Sequence, residues 1–243
     1  MKRSRFCLPA LTWLLLATPP GCPASELLRV VTEPTAGVLS ARTYYASLAT
    51  FPNEGLVIGL DVGVVPRLMV GVRYGGEHLT GLSDPVWYDH VRVAARFRFL
   101  DESLALPGIA LGFSNQEEGP RTGATYSRLS RGVYLSASKN FELEGSLAFH
   151  AGVSLSLEDS DHAGCWLGLD KSLPGGFGVA LDYDPATNEA DSVRFDEGGG
   201  FVSAEIFWQS FGQVRVSLQL RDLLETGGQT YRALAVDFLG LFL

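Results

Sequence analysis

The chain has 243 residues and a formal net charge of −8 at neutral pH, with 46% hydrophobic and 19% charged residues. This length suits one large all-β domain or two small ones, and the acidic balance argues against a nucleic-acid partner. The composition is apolar for a soluble domain. Beyond the N-terminus, however, no run approaches the roughly 18 apolar residues that a membrane helix needs.

Residues 1–24 have the order of a secretory signal peptide. Basic residues precede the apolar stretch CLPALTWLLLA, and a Pro/Gly break and CPAS follow, which favours cleavage after Ala24. Loss of the three basic residues would change the formal net charge from −8 to −11. An alternative is acylation of Cys22 in a lipoprotein signal, but Pro19 stands where such signals usually carry an aliphatic residue.

The exported chain is predicted to consist of a short periplasmic lead-in, residues 25–38, and a single barrel domain, residues 39–243. It keeps one cysteine, Cys165, so no intramolecular disulfide can form. No Cys/His grouping has the spacing of zinc ligands, and we expect neither a metal nor a cofactor.

Short alternating segments, separated by Gly, Pro, Asn and Asp, are typical of β-strands. In SLAFHAGVSLSLE (146–158), for example, Leu147, Phe149 and Val153 fall on one face and His150 on the other. The even number of segments fits a bacterial barrel. Twelve strands are predicted, at about 39–50, 55–65, 67–75, 90–99, 105–114, 131–139, 145–157, 164–171, 176–184, 200–208, 213–221 and 231–240.

The predicted connections sort by length. Those after the even-numbered strands are short, such as VP and NFELE, and those after the third, fifth and ninth strands are long. Bacterial barrels have short periplasmic turns and long outer loops, whereas a soluble sandwich has no reason to alternate. The sequence therefore predicts an all-β fold, a transmembrane antiparallel up-and-down β-barrel of about 12 strands in the outer membrane of a Gram-negative-type bacterium.

The two strand faces differ in composition. One face is apolar, as expected for contact with outer-membrane lipid, and the other mixes Gly, Ala and Ser with isolated ions and almost no Lys. Such a face suits a crowded polar interior, in which the charges pair across the lumen. The charged or titratable side chains expected to face the lumen are Asp61, Arg73, Arg92, Arg96, Arg98, His150, Asp170, Asp182, Glu205, Arg215, Arg221 and Asp237.

Aromatic residues near the strand ends are typical of the girdles at membrane interfaces. Those on the predicted lipid face are Tyr74, Phe99, Phe113, Tyr183, Trp208 and Phe238. The C-terminal AVDFLGLFL resembles the recognition strand of outer-membrane barrels. The alternative to a lipid-facing surface is a soluble secreted all-β binding protein, in which the apolar faces would form an ordinary dry core.

Catalytic chemistry has weak support, so we predict a protein that is not an enzyme. His150 is predicted to face inward and Gly152 stands two residues later, unlike the outward His and Ser of outer-membrane phospholipase. An omptin-like surface hydrolase is the runner-up, because carboxylates flanking a histidine near strand tops can activate water. Its candidate residues are Asp89, His90, Glu158, Asp159, Asp161 and His162.

Four stretches resemble the YjbH-like family of outer-membrane barrels, which is associated with exopolysaccharide production. They are PTAGVL (34–39), LPGIALGF (106–113), YLSASKNF (134–141) and WLGLDKSLPGGFGVALDYDP (166–185). Typical members are far longer than this chain. The resemblance implies a barrel that assists the export or surface assembly of a polysaccharide, acidic if the arginines line a passage. A passive channel and a plugged structural barrel are equally compatible with the sequence.

Overall fold

Twelve antiparallel strands form one closed barrel in a computed structural model that describes residues 26–115, 121–122, 125–126, 128–158, 162–189, 199–210 and 212–242. The predicted signal peptide lies outside these residues. The strands are β1 Thr43–Phe51, β2 Gly55–Val65, β3 Leu68–Glu77, β4 Arg92–Leu100, β5 Gly108–Ser114, β6 Gly132–Glu142, β7 Ser146–Leu155, β8 Ala163–Ser172, β9 Phe177–Asp184, β10 Phe201–Ser210, β11 Val214–Arg221 and β12 Tyr231–Leu241.

Each strand pairs with its neighbours in sequence, and β12 pairs with β1 to close the barrel, with Ala235 opposite Ala49. The predicted fold class and strand count are therefore confirmed. Closure satisfies the backbone hydrogen bonds of every strand, which a structure surrounded by lipid requires. The helical structure in the described residues consists of one 3₁₀ turn, Pro174–Gly176. No helix in these residues is long and apolar enough to cross a membrane.

The predicted strand boundaries agree with the structure to within a few residues at most ends. The clearest difference is at the start of β1, which begins at Thr43 rather than at residue 39. Thr43 Oγ1 donates to the Ser40 carbonyl at 2.6 Å, and Arg42 has a positive φ of 64°. A turn therefore separates β1 from the preceding residues, although their composition continues the alternation.

The two ends of the barrel differ as the connections predicted. Short turns join β2 to β3, β6 to β7 and β10 to β11 at one end, which we call the short-turn end. The opposite end, the long-loop end, carries the connections 78–91, 115–131 and 185–200. The first of these adds a two-residue strand, Val86–Trp87, to the end of β3. In bacterial barrels the short turns are periplasmic and the long loops face outward.

The outer surface carries an apolar belt. Its central side chains include Ile58, which is 57% exposed, and Leu60, Val72 and Leu181, which are each more than 40% exposed. Tyr74 and Tyr183 lie towards the long-loop end, while Phe99, Trp208 and Phe238 lie towards the short-turn end. A soluble sheet of this size would bury such a surface, so the exposed belt indicates contact with lipid.

Residues 26–41, which include nearly all of the expected periplasmic lead-in, lie inside the barrel. Val30, Glu33 and Thr35 are completely buried, and Ala36 is 2% exposed. The segment has backbone and hydroxyl groups that the polar inner wall can satisfy, together with small side chains that fit a narrow lumen. We call residues 26–41 the plug.

Candidate functional site: the plugged lumen

The twelve side chains predicted to face the lumen lie on the inward face of their strands. Nine are less than a tenth exposed, and Arg92, Arg98 and Arg215 are partly exposed. Four arginines, Arg73, Arg92, Arg96 and Arg98, lie on the adjacent strands β3 and β4, which we call the basic wall, beside Asp61 on β2. Strands β8 to β12, which we call the acidic wall, carry the carboxylates of Asp170, Asp182, Glu205 and Asp237 together with Arg215 and Arg221 on β11, and Arg215 pairs with Glu205.

The plug is a hairpin that enters and leaves at the short-turn end. Residues 29–30 pair with residues 33–34, and Val31 takes a positive φ of 33° at the tip. Leu28 and Leu39, on the two arms, pack with Leu239 near the end of β12. The tip therefore points towards the long-loop end, and the chain folds back to begin β1.

On the basic wall, Arg96 holds the two arms of the plug together. Its Nη1 donates to the Leu28 carbonyl at 3.0 Å and to the Gly37 carbonyl at 2.6 Å. Its Nε donates to the Tyr134 hydroxyl at 2.9 Å. A buried guanidinium that donates to backbone oxygens stabilises the plug only in this folded-back conformation.

On the acidic wall, Asp182 binds the tip. Its Oδ2 accepts from the Thr32 backbone N–H at 2.7 Å and from the Thr32 hydroxyl at 2.9 Å. Next to it, Glu33 pairs with Arg128 and Arg131, and both arginines also pair with Asp184. The charges at the tip are therefore matched between the plug, the wall and the loop that precedes β6.

Three neighbouring strands supply a Ser–His–Asp relay that ends on the plug. The Ser138 hydroxyl lies 2.8 Å from His150 Nδ1, and His150 Nε2 lies 2.8 Å from Asp170 Oδ1. Because the carboxylate accepts, Nε2 carries the proton and Nδ1 accepts from Ser138. Ser138 Oγ in turn accepts the Ala36 N–H at 2.8 Å. The residue types are those of a hydrolytic triad. Here, however, the plug covers the Ser138 hydroxyl, and the Ser138–His150–Asp170 hydrogen bonds anchor the plug.

Glycine makes room for the plug at two points. A Cβ on Gly168 would lie 2.4 Å from Val30 Cγ1, and one on Gly63 would lie 2.0 Å from the Ser40 carbonyl oxygen. Both glycines are on inward-facing positions, where the plug backbone or side chain approaches the wall closely. At these two positions the absence of a side chain makes space for the plug, whereas at Gly112, Gly152 and Gly178 it makes space for aromatic side chains of the wall.

Around the plug the lumen is divided into separate cavities. A cavity of about 60 Å³ lies between the plug and the basic wall and is lined by Arg73, Arg96 and Tyr134. Two larger ones, of about 430 and 370 Å³, open at the short-turn end beside Glu26. The two larger of these three cavities therefore lie at the short-turn end, below the buried hairpin.

At the long-loop end, residues 185–189 after β9 pack against the loop that precedes β6, and we call these residues the cover. Glu189 Oε1 accepts the Leu129 N–H at 2.8 Å, and Glu189 is 7% exposed. Burial raises the pKa of the Glu189 carboxyl from its ordinary value of 4.5 to about 7, despite the nearby Arg128 and Arg131. The cover thus contains an acid that titrates near neutral pH.

The residues of the hydrolase alternative do not form a site among the described residues. Asp89 and His90 are exposed in the loop between β3 and β4, while Glu158 and His162 lie between β7 and β8. Asp159 and Asp161 lie outside the described residues. No group of three or more His, Cys, Asp or Glu side chains that could hold a metal ion occurs in the part of the chain that the structure describes.

Sequence reasoning missed the plug and its partners Arg128, Arg131, Ser138 and Asp184. In sequence, PTAGVL shows only a family resemblance, yet its backbone makes hydrogen bonds to four wall residues. Arg128 and Arg131 stood in a long, polar loop, where nothing in the pattern distinguishes a buried arginine from a solvated one. Only the contacts across the lumen identify them.

One comparison with a solved structure supports the fold. A solved structure named "KdgM porin" superposes with a TM-score of 0.52, covering 81% of this chain and 98% of that chain at 7% identity. Another, from "Unveiling the Mechanism Behind the in-meso Crystallization of Membrane Proteins", aligns at 12% identity, covering 82% of this chain and 83% of that chain with a TM-score of 0.44. No family model and no curated protein matches the sequence. The chain thus shares a closed β-barrel fold with the first of these structures.

Proposed function

We propose that this protein is an outer-membrane channel that its own N-terminal segment holds closed. The observation that carries the proposal is the plug, a hairpin that fills a polar, charged lumen and is attached to it by hydrogen bonds and ion pairs. The plug forms no part of the closed wall, so it can leave the lumen without disturbing the pairing of the barrel strands. The similarity of fold to a protein named as a porin supports a channel rather than an enzyme.

The finer part of the proposal is the solute. With the plug displaced, a wall of four arginines on β3 and β4 would face carboxylates on the other side of the lumen. Such a transverse field orients charged, hydrogen-bonding solutes and favours anions along the basic wall. We propose an acidic polysaccharide, in export or surface assembly, as the resemblance to YjbH-like barrels implies.

Conductance across a planar bilayer tests the channel. The full chain is expected to be closed, and a variant that lacks residues 27–38 is expected to conduct steadily. If the deletion variant folds, as judged by resistance to SDS before heating, but does not conduct, the protein is a closed structural barrel.

A reversible lock provides the matched control. Val30→Cys with Gly168→Cys, in a Cys165→Ser background, places two thiols where the Cβ atoms would lie 3.3 Å apart, slightly closer than the usual disulfide separation. Oxidation is expected to abolish any residual openings, and reduction is expected to restore them. Openings that persist in the oxidised protein would contradict a plug that gates the lumen.

A further inference from the structure

Glu33 at the plug tip is held by a pair of arginines that belong to the barrel. Its Oε1 receives both Arg128 Nη2 and Arg131 Nη2, and Glu33 itself is completely buried. The same two nitrogens lie 2.9 and 2.7 Å from Asp184 Oδ2. Two guanidinium groups thus share two carboxylates, of which the wall contributes one and the plug the other.

Aromatic rings fix the positions of the two guanidinium groups. Arg128 lies over the Phe201 ring, 5.0 Å from its centroid, and Arg131 lies over the Trp166 ring at 5.4 Å. Both rings belong to barrel strands, as does Asp184. The plug also contacts Arg128 through the Thr32 hydroxyl, but the wall contacts of both arginines do not depend on the plug and would hold the site when the plug leaves.

Departure of the plug would remove the Glu33 carboxylate from between the two arginines. Asp184 would remain paired with both, and the nearby carboxyl groups of Asp182 and Glu189 would still interact electrostatically with Arg128. Arg128 remains 14% exposed and lies at the long-loop end, from which an external solute would arrive. A carboxylate from solution would then take the position that Glu33 leaves between the two guanidinium groups.

We propose that Arg128 and Arg131 form a binding site for the carboxylate of an external solute, and that Glu33 occupies this site as an internal ligand. This inference rests on the proposed channel function and adds a trigger to it. A solute carboxylate that competes with Glu33 removes one of the attachments of the plug tip. The planar guanidinium groups and the adjacent rings fit a carboxylate carried on a sugar ring, such as that of a uronic acid.

Competition with Glu33 makes a distinctive prediction about affinity. In the full chain, solute binds only in the fraction of molecules whose Glu33 has left the arginines, so its apparent affinity is reduced by that fraction. Glu33→Gln keeps the shape of the side chain but removes its charge. This variant is expected to bind glucuronate about tenfold or more tightly than the unmodified protein, since the competing ion pair is lost.

Isothermal titration of the detergent-solubilised full chain with glucuronate tests this, with glucose as the neutral control. Tight binding to the Glu33→Gln variant should disappear when either Arg131→Gln or Arg128→Gln is added, and glucose should bind to none of them. Each variant is first checked for the SDS resistance of a folded barrel. The proposal is overturned if Glu33→Gln binds glucuronate no more tightly than the unmodified chain, or if glucose binds equally well.

Glu26→Gln is the matched control for a loosened plug. Glu26 pairs with Arg98 at the opposite, short-turn end of the lumen, so its replacement removes a plug ion pair but leaves the two-arginine site intact. An affinity gain in this variant equal to that of Glu33→Gln would assign the effect to general loosening and would overturn the site.

The outcome is separable from that of the channel proposal. If Glu33→Gln binds glucuronate while the plug-deleted barrel does not conduct, the binding site stands and the channel fails. If the plug-deleted barrel conducts while Glu33→Gln does not bind glucuronate, the channel stands and the binding site fails.

Discussion

At the scale of single residues, the inner wall uses polar side chains to hold a segment of backbone. His150 illustrates this, because it lies between Ser138 and Asp170 and acts on the plug through the Ser138 hydroxyl. Buried networks of this kind stabilise one arrangement only when each member is satisfied. The inward histidine that a sequence reader would first consider for catalysis is here a positioning residue for the plug.

Replacement of His150 should therefore loosen the plug. In His150→Ala the Ser138 hydroxyl loses its partner and binds the Ala36 N–H less firmly. We expect the amide hydrogens of residues 35–38 to exchange about tenfold faster, as for the loss of roughly 1.4 kcal/mol of protection against opening. Hydrogen exchange followed by mass spectrometry measures this.

His90→Ala is the control for that experiment, because His90 is exposed in a loop remote from Ser138. Equal exchange in residues 35–38 for both variants and the unmodified protein would show that the relay does not anchor the plug.

Glu189 gives the cover at the long-loop end a dependence on pH. Burial raises the pKa of this carboxyl to about 7, so the folded loop binds the proton more tightly than the unfolded loop, whose carboxyl has a pKa of 4.5. Stability of the cover is thus highest below pH 4.5 and falls as the pH rises to about 7, by up to roughly 3 kcal/mol.

Hydrogen exchange at the Leu129 amide, which donates to Glu189, should accelerate across this pH range after correction for the intrinsic rate. Glu189→Gln carries no titrating proton and is expected to remove the excess pH dependence. A corrected profile that is the same for the variant and the unmodified protein would exclude Glu189 as its cause.

At the scale of elements, each strand separates lipid from lumen by its alternation. In β2, Leu60 lies near mid-strand on the outer face, while its neighbour Asp61 points inward and is 6% exposed. The plug is the exceptional element, since it is buried although it contributes nothing to the closed wall. Its stability comes from bonds to the wall, which explains why its own sequence carries no strong secondary-structure pattern.

The lipid-facing assignment of β2 predicts a depth-dependent cost for arginine. Leu60→Arg places the charge near the bilayer centre and should destabilise the barrel by about 2–4 kcal/mol, whereas Val64→Arg, near the strand end, should cost about 0–1 kcal/mol. Equilibrium folding into lipid vesicles in a denaturant series measures the difference. Equal costs at the two positions would contradict a membrane centred on Leu60.

At the scale of the whole molecule, a closed sheet with an apolar exterior and a filled interior should resist detergent. We expect the unheated protein in SDS to migrate as a folded barrel and to shift in apparent mass on boiling, because closure leaves no strand edge from which unfolding can begin. A protein that needs no detergent for extraction and shows no shift would contradict the membrane assignment.

The charges of the whole lumen are also arranged across the molecule rather than within one strand. The basic side chains on β3 and β4 come from one part of the chain, and the carboxylates on β8 to β12 from another. The plug satisfies both walls, with carbonyl groups directed to Arg96 and an N–H group directed to Asp182. This match explains why the folded-back segment is stable only inside this barrel.

The sequence by itself determined the barrel. Strict alternation specifies strands and their two faces, and the alternation of short and long connections specifies an antiparallel order, because both signals arise between residues that are close in the chain. The inward position of Asp61, Arg96 or Asp182 follows from the same period of two. The tertiary structure alone decided that residues 26–41 enter the lumen, and that Glu33 meets Arg128 and Arg131. Those contacts join residues about a hundred positions apart, and they exist only once closure of the barrel has brought the walls around the plug.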